Sequence, residues 1–460
     1  MYNIDFTTPV HVYFIGIGGI SMSGLADILF DKGFTISGSD MKESALTMGL
    51  RNKGMNIYIG QNADNITDNI DVVVYTAAIH PDNPEFKAAL AMNIPMLTRA
   101  ELLGEIMSNY KVAIGVAGTH GKTTTTSMIT DILLKAKLDP TVSVGGILSS
   151  INGNIRIGNS DTFITEACEY TNSFLSFSPT IEVILNIEED HLDFFKDLDD
   201  IRESFKKYVD RLPENGLLVI NGDIPNVEYI FSDVKCPVIL VGDSDNCKYK
   251  ATNLVCDDFG CYSYMLVRDG VNITSVKLGV TGIHNVYNSL AAFAVADFLK
   301  ISCDDTLMAL AGFSGANRRF EHKGRINGFS VIDDYAHHPA EINATLKVAS
   351  ECKHNKVICI FQPHTYTRTN AFLKEFAQAL KSADQIILTD IYAAREQNTL
   401  GISSLDLKRE LDILGANCIH ESDFIAIKDL VLSMAEPDDL VITMGAGNVV
   451  EIGEMILENK

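Results

Sequence analysis

Gly118-Thr119-His120-Gly121-Lys122-Thr123 is the stretch whose residue types and spacing most directly imply chemistry. The apolar run "KVAIGVA" leads into it, and the helix-forming run "TTTSMITDIL", starting at Thr124, follows. Amide N–H groups left over at a helix N-terminus can face phosphate oxygens, and glycines let the backbone approach them closely. Lys122 would neutralise the β and γ phosphates of a nucleoside triphosphate, and the Thr123 hydroxyl would bind Mg²⁺. Val116 stands where the general pattern G-x-x-x-x-G-K-[ST] has its first glycine, and glycines fall at 115, 118 and 121 instead. Strand, loop, G-K-T and helix nevertheless come in the required order.

Acidic groups follow in "TEACEY" and "NIEEDHLDFF". Glu166 ends one apolar strand and His191 follows another, which places both near the strand ends where α/β sheets bind ligands. A hard cation takes oxygen ligands from one or two carboxylates, so Glu166 suits Mg²⁺ better than His191. On spacing alone His191 reads as a solvated histidine opening a helix. In "GIHNVYNSLAA", Asn285 and Asn288 fall one turn apart on one helix face. Their amides can pair with an adenine edge, or Asn285 can cap the helix.

Near the N-terminus "GIGGIS", Gly16 to Ser21, imitates a dinucleotide fingerprint, with Ser21 in place of the third glycine and Asp40 ending the next strand. The loop points to a diphosphate at a helix N-terminus, and a UDP-sugar satisfies that as well as NAD does. The C-terminal third carries "NRRFEH", "DDYAHHP" and "FQPHTYTRT". Arg318, Arg319 and Arg368 can fork onto phosphate or carboxylate, while Asp333, Asp334, Tyr335, His337 and His364 fall at or just after strand ends.

Three successive α/β units must position these groups. The expected divisions are 1–108, 109–317 and 318–460, each alternating apolar strands with helices. In the middle unit, the segment from Cys247 to Val280 alternates β-formers with turn residues such as Asp269-Gly270, which predicts an antiparallel excursion of the central sheet. With 60 acidic against 37 basic residues and a formal charge of −23, the surface repels nucleic acid and anionic lipid. Nine scattered cysteines show no metal-ligand or disulfide spacing, and no apolar run is long enough to span a membrane. A soluble, cytoplasmic protein with reduced thiols is the expectation.

Taken in order over essentially the whole chain, "GIGGISMSG", "AGTHGKTT", "EACEYTNSFL", "NIEEDHLDFF", "HNVYNSLAA", "NRRFE", "DDYAHHPAEI" and "FQPHTYTRT" resemble the Mur ligases, whose phosphate loop reads G-T-x-G-K-[ST]. The resemblance implies a Rossmann-like N-terminal domain for a UDP-sugar, a central P-loop-type ATPase domain, and a Rossmann-like C-terminal domain that brings the amino acid. It implies ATP-dependent activation of the lactyl carboxylate of UDP-N-acetylmuramate as an acyl phosphate, attacked by L-alanine, in a monomer or weak homodimer. By the same likeness Gly118, Thr119, His120, Gly121, Lys122, Thr123, Thr124, Asn285, Asn288, Arg319 and Asp334 meet ATP. Thr123, Glu166 and His191 hold Mg²⁺. Gly16, Gly18, Gly19, Ile20, Ser21, Asp40 and His80 contact the UDP-sugar, and Tyr335, His337, His364 and Arg368 line the alanine site. Lys122, Glu166, His191, His337 and Arg368 are the expected catalytic residues. One departure stands out. Where sister ligases carry a carbamylated lysine between two metals, this chain has Phe205, with Lys206 and Lys207 beside it. Two other readings stay open: a recycling ligase that attaches a preformed peptide to the same sugar, and an NAD-dependent oxidoreductase with an ATP-binding regulatory domain.

Overall fold

The computed structural model describes residues 2–76, 78–191, 194–257, 260–315, 317–394 and 396–458. Continuous apolar runs such as "HVYFI" are buried on both faces, as strands of a parallel sheet must be. The first segment comprises β1 (His11–Ile15), α1 (Ile20–Asp31), β2 (Thr35–Asp40), α2 (Ala45–Asn52), β3 (Asn56–Ile59), β4 (Val72–Tyr75), α3 (Pro84–Ala91), β5 (Met96–Thr98) and α4 (Arg99–Ser108). Its strands form a five-stranded sheet in the order β3-β2-β1-β4-β5, every pair parallel. The order reverses at β1, so the loop after β1 opens at the switch point, the usual ligand crevice of such sheets.

The next strands and helices are β6 (Val112–Ala117), α5 (Lys122–Lys135), β7 (Thr141–Leu148), β8 (Gly153–Arg156), β9 (Thr162–Glu166), β10 (Ile181–Ile184) and α6 (Leu198–Val209). They continue through β11 (Leu217–Asn221), α7 (Val227–Ile230), β12 (Val238–Val241), β13 (Tyr249–Cys256), β14 (Cys261–Arg268), β15 (Val271–Thr281), α8 (His284–Phe298) and α9 (Cys303–Gly312). The ten-stranded sheet runs β15-β14-β13-β12-β11-β10-β6-β9-β7-β8. Parallel pairing flanks β6 on both sides, by β9 and by β10, so the loop after β6 leaves the sheet between two other strand ends. The antiparallel excursion is present. β14 and β15 are joined by Asp269 and Gly270 at φ +50° and +76°, the left-handed pair a two-residue hairpin needs.

The last segment holds β16 (Glu321–Ile326), β17 (Phe329–Asp334), α10 (Pro339–Glu351), β18 (Val357–Phe361), α11 (Tyr366–Ala371), α12 (Leu373–Leu380) and β19 (Gln385–Leu388). It closes with α13 (Ser404–Ile413), β20 (Cys418–His420), α14 (Phe424–Met434), β21 (Leu440–Met444) and α15 (Val450–Glu458). Its six-stranded sheet, β16-β17-β21-β18-β19-β20, is parallel except for the edge strand β16. Alternate residues along β18 feed different cores. Cys359 and Phe361 pack with α10, α12 and α13, whereas Ile358 and Ile360 pack with α14 and α15.

Contacts group the chain into two compact units: Met1–Ala251 with Leu266–Ile273 and Tyr287–Ala309, and Thr252–Met265 with Thr274–Val286 and Leu310–Lys460. Among the described residues no helix is long and apolar enough to cross a membrane.

Candidate active site

Strand β6 delivers the phosphate loop. Val116 is still inside the sheet, buried, and in register with Glu166 on β9 and Val183 on β10, so nothing there calls for glycine. The loop's own glycines are Gly118 and Gly121, at φ +138° and +84°. A Cβ on Gly121 would lie 2.9 Å from Asn288 Oδ1, which puts the Asn288 amide against the loop. Gly115 serves packing instead, because a Cβ there would collide with the Tyr208 hydroxyl. Asn186, just beyond β10, clamps the loop: its Oδ1 accepts from His120 N at 2.7 Å and its Nδ2 donates to His120 O at 3.1 Å.

The charged groups converge at the N-terminus of α5. Lys122 Nζ donates to Gly118 O at 2.5 Å, to Thr119 O at 3.1 Å and to Glu169 Oε2 at 3.1 Å. Thr123 Oγ1 donates to Glu166 Oε2 at 3.0 Å, and the other Glu166 oxygen accepts from Gly145 N at 2.5 Å. Glu169, Asp190 and His191 form a second cluster, with one ligand atom from each lying within 4.8 Å of the others. His191 does not open a helix. It sits at φ +52° in the connection between β10 and α6, its ring 4.5 Å from that of Tyr170.

In the same unit, Gly16 turns the chain at φ +84° after β1. Gly18 N donates to Asp40 Oδ2 at 2.9 Å, so Asp40 fixes the loop from within. Gly19 is the N-cap of α1 and Ile20, its first residue, is 66% exposed. Arg99 Nη1 donates to Ser21 Oγ at 3.2 Å and brings a half-buried cation beside the glycine loop. His80 is exposed on the connection between β4 and α3.

In the other unit, Arg318 is fully engaged. Its guanidinium donates to Asp333 Oδ2, Gly447 O and Gly445 O at 2.8, 3.0 and 2.6 Å, and so ties β17 to the turn after β21. Asp334 is buried, both oxygens accepting from the amides of Phe320 and Ala336 at 2.7 and 2.8 Å, and burial pushes its pKa up to about 6. Arg319 lies over the Tyr335 ring, 5.8 Å from its centroid. The rings of His337 and His364 are 5.7 Å apart, and Arg368 Nη1 is 3.2 Å from His364 Nδ1. Asn285 is inside α8 rather than capping it, and donates to Thr281 O at 2.7 Å.

Three family models match the chain: the Mur ligase family catalytic domain at residues 11–111, the Mur ligase middle domain at 116–296, and the Mur ligase glutamate ligase domain at 318–447. The chain belongs to the Mur ligase family. A relative from Lachnospira eligens, named UDP-N-acetylmuramate–L-alanine ligase, is 56% identical over 459 residues, covering 100% of both chains. The crystal structure of a UDP-N-acetylmuramate–alanine ligase from Thermotoga maritima matches with a TM-score of 0.79 at 29% identity, covering 98% of each chain. A murein peptide ligase from Psychrobacter arcticus shares the fold, with a TM-score of 0.67 at 24% identity and 98% coverage of each. The three-domain Mur ligase architecture expected from the motifs is the one observed.

Measured against that family, Phe205 is buried edge-on to Phe174. Lys206 reaches Asp233 and Ser232, and Lys207 pairs with Glu203, so both ammonium groups are engaged on the α6 surface. Sequence reasoning missed Glu169, Asp190, Asn186, Arg99 and Glu341. Glu169 lies three residues beyond Glu166 in "EACEY" and Asp190 directly precedes His191, so both were within the quoted motifs. Glu341 had a sharper signal, because His338-Pro339-Ala340-Glu341 is a helix start with a carboxylate at the capping-box position.

Proposed function

We infer that this Mur ligase joins L-alanine to UDP-N-acetylmuramate, with ATP converted to ADP and phosphate, in the synthesis of peptidoglycan precursors. The observation that carries the substrate assignment is 56% identity over the whole of both chains to a relative named for that reaction. The peptide-recycling reading is weaker, since the peptide ligases of the same fold stand at 24% and 30% identity against 56% for the alanine ligase. The oxidoreductase reading has only the glycine loop in its favour.

A carboxylate is a poor electrophile, and transfer of the γ-phosphoryl group to the lactyl carboxylate supplies the leaving group that the alanine amine needs. Positioning and charge stabilisation are then the main tasks of the protein. Lys122 exchanges its carbonyl and Glu169 contacts for phosphate oxygens, and the α5 N-terminus contributes amide donors. Asn288, against Gly121, is placed to read the nucleotide, and Asn285 shares its helix. The donor sets fit Mg²⁺: a hydroxyl and a carboxylate at Thr123 and Glu166, and two carboxylates with an imidazole at Glu169, Asp190 and His191. A bound Mg²⁺ would draw charge from the phosphate oxygens and orient them. Gly18, Gly19 and Ser21 present the α1 N-terminus to the diphosphate of the sugar. Arg368 forks onto the alanine carboxylate within the His337, His364 and Tyr335 cluster.

The test is phosphate release by the purified chain with ATP, Mg²⁺ and UDP-N-acetylmuramate, comparing L-alanine, glycine, L-serine and a muramyl-type tripeptide. Release that requires the sugar and is fastest with L-alanine is expected. Preference for the tripeptide overturns the assignment.

A further inference from the structure

The two histidines of the C-terminal cluster have partners that force opposite tautomers. His337 Nδ1 lies 3.0 Å from Tyr335 O and 3.2 Å from Glu341 Oε2, and both of these can only accept. In the neutral ring Nδ1 therefore carries the hydrogen and Nε2 keeps its lone pair. His364 Nδ1 instead faces Arg368 Nη1 at 3.2 Å. A guanidinium can only donate, so this Nδ1 is the acceptor and the neutral His364 ring carries its hydrogen on Nε2.

Glu341 is built into the position it needs. It sits in the first turn of α10, where Oε2 also accepts from His337 N at 2.9 Å and His338 N at 3.2 Å. Burial alone would raise its pKa, but His337, those amides and Arg319 hold it below the usual value, so it stays anionic. For His364 the balance runs the other way: burial first, then His337 and Arg368, lower its pKa to about 4. The charged and titratable groups around the pair include Glu341 on α10, Arg319 ahead of β16, Asp334 ending β17 with Tyr335 after it, Arg368 on α11, and Tyr392 and Glu396 beyond β19. The anion on the His337 side and the cation on the His364 side make the two rings electrostatically unlike.

We propose that His337 Nε2 is the group that accepts a proton from the alanine ammonium, with Glu341 as its positioning residue, while His364 is a neutral Nε2–H donor that works with Arg368 on the alanine carboxylate. In the step, one N–H bond of the ammonium breaks and its electron pair becomes the lone pair of the attacking amine. The proton forms the Nε2–H bond of a His337 imidazolium held against Glu341. His364 takes no part in this transfer. The proposal rests on the alanine-ligase reading for the identity of the ammonium but not for the tautomers.

Imidazole ¹⁵N NMR of the full chain, assigned through His337→Gln and His364→Gln, tests the tautomers without substrate. His337 is expected as the Nδ1–H form when neutral, and His364 as the Nε2–H form that remains neutral down to about pH 5, below the ordinary histidine range. A His364 that protonates near its ordinary value, or a His337 with its hydrogen on Nε2, overturns the proposal. The roles are tested by kcat/KM for alanine against pH. Glu341→Gln keeps an oxygen for the backbone amides and removes only the charge, so the acid limb should move to lower pH while the KM for ATP holds. His364→Gln should raise the KM for alanine and leave the limb in place. An acid limb unmoved by Glu341→Gln, or displaced by His364→Gln, refutes the division of roles. Absence of alanine-dependent turnover in the wild-type chain with the NMR pattern intact refutes the alanine reading alone.

Discussion

Glu182 offers the sharpest energetic prediction. It lies on β10 opposite Gly115 of the phosphate-loop strand, is fully buried, and among the described residues neither carboxyl oxygen has a hydrogen-bond partner. The Tyr208 hydroxyl, admitted by Gly115, is likewise unpartnered. Burial raises the Glu182 pKa well above the usual value, outweighing the opposing charge of Arg211. Above about pH 4.3 the unfolded chain releases this proton while the folded chain keeps it. Folded stability therefore falls by about 1.4 kcal/mol per pH unit until the folded pKa is reached. Glu182→Gln removes the titration, and Glu182→Leu also removes an unsatisfied polar group worth about 1–3 kcal/mol. Thermal midpoints of the full chain, measured from pH 5 to 9 by calorimetry, should rise in both variants relative to wild type. The gain should widen with pH, at about 2–4 °C per kcal/mol for a unit of this size. Wild-type and Gln midpoints that run parallel over that range would falsify the reasoning, since they would mean that Glu182 ionises freely in the folded protein.

The remaining predictions concern the site. Lys122→Ala should lower turnover by about 10²–10³-fold with an unchanged circular dichroism spectrum; a folded variant within a few-fold of wild type removes Lys122 from the phosphate site. Gly121→Ala forces a side chain into φ +84° with its methyl 2.9 Å from Asn288 Oδ1. About 1–2 kcal/mol of strain should raise the KM for ATP roughly tenfold and leave that for alanine alone, and an unmoved ATP KM counts against Asn288 as a nucleotide contact. Arg368→Ala removes a charged hydrogen-bond partner worth about 1.5–3 kcal/mol, so the alanine KM should rise at least tenfold; if the ATP KM rises instead, Arg368 is a phosphate ligand. Calorimetry on the full chain should show heat with UDP-N-acetylmuramate and none with NAD, and the reverse result reassigns the "GIGGIS" loop.

What could be read from the sequence was local. Strand, loop and helix around Lys122, the Asp269-Gly270 hairpin and the switch-point loop after β1 are each set by neighbours in the chain, and each is where the residues imply. What could not be read depends on which strands become neighbours. Glu169 meets Lys122 only because β9 pairs with β6, and Gly115 is explained only by Tyr208 on α6, far along the chain. The spacing of Asp40 from Gly18 does not by itself give the bond its carboxylate accepts from the Gly18 amide, which needs β2 paired beside β1. Strand β16 escaped notice because an edge strand carrying Glu321, His322, Lys323 and Arg325 lacks the apolar run of the inner strands. Within "AFLKEFAQALKSA" only Leu373–Leu380 forms α12; Ala371 ends α11, and Phe372, whose φ of −116° leaves the helical range, separates the two.

On the proposed function, the resting contacts of Lys122 would turn nucleotide binding into an exchange. Its ammonium already holds two carbonyls and a carboxylate, so an arriving phosphate oxygen would displace Glu169 instead of meeting an unpaired cation. Glu166 is bonded to Thr123, and Glu169, clustered with Asp190, is bonded to Lys122, so a triphosphate at the α5 N-terminus without a metal would meet them as like charges. At about 4 Å such a pair repels by about 1 kcal/mol in water and by about 4 kcal/mol near a protein surface. A divalent cation travelling with the nucleotide would supply the positive charge that offsets those repulsions, with Glu166, Glu169 and Asp190 among the residues that would hold it. On the proposed function the carboxylates would act as a filter on the form of the nucleotide, turning away the free anion and admitting its metal complex.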